Sequence, residues 1–145
     1  MKIAVIHGPN MNLLGLREPD IYGNRTYKDL CDYIRSSFPE DTFDFYQSNH
    51  EGALIDRIQG CIGTQDAIVI NPAAYTHTSI AIGDALRAAA LPAVEVHLSD
   101  VTAREPFRKI SYVKDACVAT VAGKGFEGYK EAIALLHAAR KETLS

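Results

Sequence analysis

No two cysteines in this 145-residue sequence are spaced C-x-x-C, no basic run is dense, and no apolar run approaches the eighteen or so residues of a membrane span. Each absence excludes something. Cys31, Cys61 and Cys117 are odd in number and widely separated, which fits the buried thiols of a cytosolic chain better than a disulfide scaffold. A net charge of −3 without a basic patch argues against a nucleic-acid partner. No membrane helix is expected, and Met1-Lys2-Ile3 runs straight into a strand-like segment, leaving no room for a secretory signal; the expected compartment is the cytoplasm. Metal patterning is missing too. His7, His50, His77, His97 and His137 have no zinc-ligand spacing, and His50-Glu51 fails HExxH because Leu54 stands at the second histidine position. Ser79 and Ser99 lack a nucleophile elbow. No repeat, linker or low-complexity segment interrupts residues 1–145, which read as one domain with an ordinary 47% apolar and 23% charged residues.

What is present is alternation. Ile3–Ile6 reads as a first strand. Tyr27, Leu30, Ile34 and Phe38 follow at helical spacing, with Thr26 as N-cap and Asp29 three residues on. Thr42–Tyr46 reads as a second strand. Ser48 to Glu51 has capping-box spacing ahead of a helix with Leu54, Ile55, Ile58 and Ile62 on one face. Ala67–Ile70 is continuously apolar, as a strand covered on both faces should be. A helix is expected from about Thr78 to Ala90, a fourth strand over Ala93–Val96, and a charged loop with one helical turn from Ser99 to Ser111. A fifth strand over Cys117–Ala122 and a helix from Tyr129 to about Lys141, with Ala132, Ile133, Leu136 and Ala139 inward, complete the series. Five strands alternating with helices imply a three-layer α/β/α fold with one parallel sheet and right-handed crossovers, in the flavodoxin-like strand order 2-1-3-4-5.

Ligands of such sheets lie beyond the carboxyl ends of the strands, near the switch point. The stretches just past strands one, three and four are where this chain keeps its unusual polar residues. The segment Gly8 to Gly23, GPNMNLLGLREPDIYG, is too polar for a core element and too long for an ordinary connection, so it reads as a working loop, half of an active site with the character of a lid. Tyr22 in that loop serves as a base if its phenol ionises near neutrality. Moving it from about 10 to about 7 takes roughly 4 kcal/mol, which one cation at about 4 Å supplies at an effective dielectric of about 20. Arg17, Arg104 and Arg108 are candidates for that cation. The alternative for Tyr22 is a packed amphipathic residue. His97 ends strand four, and alternation puts Glu95 on its side, where a carboxylate can orient the imidazole as a general acid; a structural bond at the sheet edge is the alternative. After strand three, Asn71 to Ser79 leads into a helix start suited to anions, and Asn71 and His77 can hold hydroxyls or a carboxylate there. A turn and cap account for Asn71, Thr76 and Thr78 but not for His77.

Gly123 to Gly128 matches GxGxxG, yet no strand follows the next helix and no acid ends one, so it reads as a glycine turn rather than a dinucleotide site. An FMN module would need a Ser/Thr-rich loop after strand one, and a phosphoacceptor domain an aspartate in place of Asn71. A lysine at a strand end, as a Schiff-base route would need, is absent.

Four blocks then give the sequence a family likeness: GPNMNLLGLREPDIYG, QSNHEGALIDRI, INPAAYTHTSIAIGDAL and VEVHLSDVTAREPFRKISY. In order and in separation they resemble the type II 3-dehydroquinate dehydratases from Ile3 to about Leu136. The resemblance implies a flavodoxin-like enzyme that converts 3-dehydroquinate to 3-dehydroshikimate and water without metal or cofactor. It implies Tyr22 as the base beside the ketone, Arg17 keeping it ionised, and Asn10 holding the enolate oxygen, partly through water. His97, oriented by Glu95, would protonate the departing hydroxyl. Asn71, His77, Arg108 and the amides of Leu98 and Ser99 would grip the substrate's carboxylate and hydroxyls. Asp84 would reach a neighbouring subunit's site within a dodecamer built from trimers. The chain departs from the family pattern at His7 (commonly asparagine), Met11 (leucine), Ala73 (glycine) and Thr102 (histidine). Of these, Ala73 matters most, because an added methyl group would crowd the substrate if that backbone approaches it closely.

Overall fold

A computed structural model describes residues 1–16, 23–100 and 103–144. Five strands, β1 (Lys2–His7), β2 (Thr42–Gln47), β3 (Ala67–Asn71), β4 (Ala93–His97) and β5 (Ala119–Ala122), form one sheet in the order β2-β1-β3-β4-β5. All four pairings are parallel, so the sheet has the expected flavodoxin-like order. The helices are α1 (Tyr27–Ser37), α2 (Glu51–Gln59), α3 (Ile80–Ala89) and α4 (Glu127–Leu144).

Alternation along the strands builds two cores. Ile3, Val5, Val69, Val94 and Val96 face one way and meet Leu30 and Ile34 of α1 and Tyr129, Ile133 and Leu136 of α4. Ala4, Ile6, Ile68, Ile70 and Ala93 face the other way and meet Leu54 and Ile58 of α2 and Ile82 and Leu86 of α3. Covered on both sides, β1 and β3 tolerate the unbroken apolar runs seen in the sequence. The three cysteines are free thiols. Among the described residues no helix is long and apolar enough to cross a membrane.

Local details both follow and correct the sequence reading. Thr26 and Asp29 close a reciprocal capping box on α1. The box expected at Ser48 does not form. The Ser48 hydroxyl instead accepts from the His50 amide at 3.0 Å, and His50 caps α2 without a side-chain bond. Ile62, expected on the buried face of that helix, lies beyond its end and is 55% exposed, because α2 stops at Gln59 and the chain turns. The helix expected from about Thr78 to Ala90 forms, starting two residues later than expected. A 3-10 turn covers Ala73–His77, and α3 starts at Ile80 with Ser79 as its cap, the Ser79 hydroxyl accepting from Ile82 N at 3.0 Å. Cys117 precedes β5 rather than opening it. The glycine-rich stretch is a turn, with Gly123 and Gly125 in the left-handed region.

Candidate active site

The strand order reverses between β1 and β3, and their carboxyl ends, with that of β4, surround a cleft with about 710 Å³ of space, part of it open to solvent. Its lining comes from the three stretches singled out in the sequence: Pro9 to Leu14 after β1, Asn71 to His77 around the end of β3, and His97 to Arg108 from the end of β4 onward.

His97 and Glu95 lie on one side of β4. Glu95 is fully buried and its Oε2 accepts from His97 Nε2 at 2.6 Å. Thr76 also donates to Oε2, Ser111 lies 3.0 Å from Oε1 and 3.1 Å from Oε2, and Thr120 donates to Oε1 at 3.3 Å. Burial pushes the Glu95 carboxyl up, but the hydrogen bonds and charge of His97, with the Thr76 and Ser111 hydroxyls, outweigh it and hold the group below the ordinary glutamate range. Glu95 is therefore an anion that needs donors, and His97 supplies its Nε2–H. Nδ1 is the ring atom left for the cleft.

The opposite wall uses the other face of the sheet. Asn71, 3% exposed, ends β3 beside His7 of β1, its register partner. Its carbonyl oxygen accepts from Ala73 N at 3.1 Å, and its amide nitrogen donates to the Tyr129 hydroxyl at 3.2 Å. Ala73 has φ +53, so the residue at the glycine-like position does sit in the left-handed region. Its neighbour Pro72 presses on Gly8, where an added Cβ would come 2.2 Å from Pro72 O. Asn10, also left-handed at φ 70, is tied through its amide to Asn49 Oδ1 at 3.0 Å, and Gln47 Nε2 bridges Asn49 Oδ1 at 3.2 Å and Gly8 O at 3.1 Å. His77 donates from Nδ1 to Ile110 O at 2.7 Å, which turns Nε2 to other partners. Arg108 pairs through Nε with Glu105, and Leu98 and Ser99 line the cleft beside Arg104. The glycine turn buttresses this wall from behind. Gly123 N donates to His97 O at 3.3 Å and Gly125 N to Leu98 O at 3.0 Å.

Of the expected site residues, Asn10, Asn71, His77, His97, Leu98, Ser99 and Arg108 meet at this cleft, with Glu95 behind His97. Arg17, Tyr22 and Thr102 lie outside the described residues. Asp84 does not line the cleft of its own chain; it sits exposed on α3, paired with Arg87 at 3.3 Å. Thr76, Ser111 and Thr120 around Glu95, and Tyr129 behind Asn71, were not legible as site residues. In the sequence Thr76 reads as a cap, and Tyr129 as the start of an ordinary helix. Among the described residues no group of three or more His, Cys, Asp or Glu side chains is placed to hold a metal ion.

Residues 1–137 match the model of a family described as dehydroquinase class II. The chain is 49% identical over 131 residues to a 3-dehydroquinate dehydratase of Campylobacter hominis, covering 89% of this chain and 84% of that one. It is 50% identical over 133 residues to a catabolic 3-dehydroquinase of Aspergillus oryzae, covering 90% and 87%. Among solved structures, the type II dehydroquinase of Butyrivibrio crossotus superposes with a TM-score of 0.92 at 48% identity, over 94% of this chain and 97% of that one.

Proposed function

The chain belongs to the class II dehydroquinase family and is a hydro-lyase, and on that premise we propose that it removes water from 3-dehydroquinate, giving 3-dehydroshikimate through an enolate. The observation that carries the reading is the charge of the cleft. Arg104 and Arg108 line it, and no Asp or Glu is among its described lining residues, which suits a small carboxylate.

The elimination is redox-neutral. The ketone takes up the electron pair of the broken C–H bond, and the enolate returns it as the C–O bond breaks, so no cofactor is required. Tyr22 acts as the phenolate base, kept ionised by Arg17. The described ends of their segment meet beside Leu14: a Cβ on Gly15 would come 2.9 Å from Asn24 O and 3.0 Å from Arg25 O. Asn10 holds the enolate oxygen. His97, with Nε2 committed to Glu95, delivers the proton from Nδ1 to the departing hydroxyl. Asn71, His77, Arg108 and the amides of Leu98 and Ser99 grip the carboxylate and hydroxyls. The whole chain serves as one catalytic domain in the cytoplasm, in a dodecamer of trimers in which Asp84 reaches a neighbour's site.

The product is a conjugated enone, so ultraviolet absorbance after mixing with 3-dehydroquinate tests the reaction directly. Wild type should turn over, while Tyr22→Phe and His97→Ala should each lose about 10²- to 10⁴-fold in kcat. Turnover surviving in Tyr22→Phe would remove Tyr22 as the base; silence from assembled wild type would leave a catalytically dead relative. A Schiff-base route is disfavoured because all seven lysines are exposed and none lines the cleft. Borohydride with substrate should leave the protein unmodified.

A further inference from the structure

Behind Asn71 runs a chain of buried polar groups that the reaction above does not use. His7 and Tyr129 are both fully buried. His7 Nε2 lies 2.9 Å from the Tyr129 hydroxyl and Nδ1 lies 3.1 Å from the Tyr27 hydroxyl. The direction of every proton in this chain follows from one fixed donor. The Ala73 backbone N–H can only donate, so the Asn71 atom it meets must be the carbonyl oxygen. The Asn71 amide nitrogen therefore faces Tyr129 and donates to its hydroxyl oxygen. Tyr129 is too buried to leave its O–H without a partner, and among the described residues the acceptor within reach is His7 Nε2. His7 must then carry its proton on Nδ1 and give it to Tyr27, whose hydroxyl reaches the Cys31 thiol. Burial lowers the His7 pKa to about 3, so the ring stays neutral and keeps one donor and one acceptor.

We propose that His7 is a positioning residue of this site: as the Nδ1–H tautomer between Tyr129 and Tyr27, it holds Asn71 so that its carbonyl oxygen is what the cleft offers a ligand hydroxyl. The Asn71 nitrogen is spent on Tyr129 and on Met11 Sδ at 3.8 Å, while the oxygen keeps one lone pair beyond its bond from Ala73. A hydroxyl donor is recognised there. The side-chain placements match the register: His7 and Asn71 pair across β1 and β3, and α1 and α4 bring Tyr27 and Tyr129 to the same face of the sheet. The functional part of this inference rests on 3-dehydroquinate being the substrate; the tautomer does not.

Two measurements test it. Nitrogen-15 NMR of the imidazole in the full-length protein should show His7 as the Nδ1–H tautomer, without titration from pH 5 to 8; an Nε2–H tautomer or an imidazolium in that range overturns the proposal. In steady-state kinetics with 3-dehydroquinate, His7→Leu and Tyr129→Phe should each raise KM by about 3- to 10-fold, the worth of one misplaced hydrogen bond, with kcat nearly unchanged. Their effects on kcat/KM should vanish in an Asn71→Ala background, since both act through Asn71. Effects that persist undiminished there, or that fall on kcat, overturn it. If His7→Leu fails to fold, Tyr129→Phe removes a single oxygen and still decides. If folded wild type leaves 3-dehydroquinate untouched, the substrate reading fails while the NMR result still stands or falls alone.

Discussion

At the scale of single residues, two positions set measurable balances. Ala73 adopts φ +53, which costs a side-chain-bearing residue roughly 1–2 kcal/mol, while glycine there would loosen the unfolded chain by about 0.4–1 kcal/mol. The first effect is larger, so Ala73→Gly should stabilise the protein by about 0.5–1 kcal/mol, read as a higher urea midpoint at unchanged slope. A lower midpoint would mean that the Ala73 methyl group packs favourably where the sequence suggests crowding. His7 sets a pH dependence. Its pKa is about 3 folded against 6.5 for the free side chain, so between those values the unfolded chain binds the extra proton and stability rises with pH. Acidification from pH 6.5 should therefore cost wild type up to about 1.4 kcal/mol per pH unit more than it costs His7→Gln. Urea titrations at pH 7, 6 and 5 check it; parallel losses would mean that the ring binds protons as readily in the folded chain as in the unfolded one. The sequence announced Ala73 through its place in a motif. It gave no hint of the His7 environment, because Tyr27, Asn71 and Tyr129 converge from three distant segments.

Among the elements, signals confined to three or four residues hold only where nothing competes for the same groups. Thr26 and Asp29 face each other with no third partner, and the capping box forms. Thr26→Ala should cost about 1 kcal/mol, since the Asp29 amide at the start of α1 loses its acceptor, the Thr26 hydroxyl; an unchanged urea midpoint would show that water replaces that bond without loss. Ser48 has the same spacing, but the chain there must leave β2, and its hydroxyl is taken by the His50 amide two residues on. Thr76, read as a cap, is turned to the Glu95 carboxylate, because a buried anion outbids a turn for a hydroxyl. Strand ends were legible to within one residue except at the start of β5, two residues later than expected, since the apolar runs stop where the sheet does.

For the whole molecule, five alternating elements were enough to give the strand order, because parallel strands with right-handed crossovers leave few arrangements. The oligomer is not written in periodicity. Ile80, Phe107, Ile110 and Tyr112 are each at least 41% exposed on segments bonded to one another around His77, an apolar surface that a dodecamer would have reason to cover. Sedimentation should give a twelve-chain particle; a stable monomer with full turnover would sink both the assembly and the cross-subunit role of Asp84. The pairing of β1 with β3 has a further consequence, for time rather than shape. Ile3 pairs with Ala67, and His7 with Asn71, across more than sixty residues of chain. Loop closure must come before those contacts reward it, so folding should be slow for a domain of this size. On the ribosome, β1 waits for β3, and the cleft waits longer still, for Arg108 and the glycine turn beyond β5. The cleft has all its walls only once the chain beyond β5 has been made.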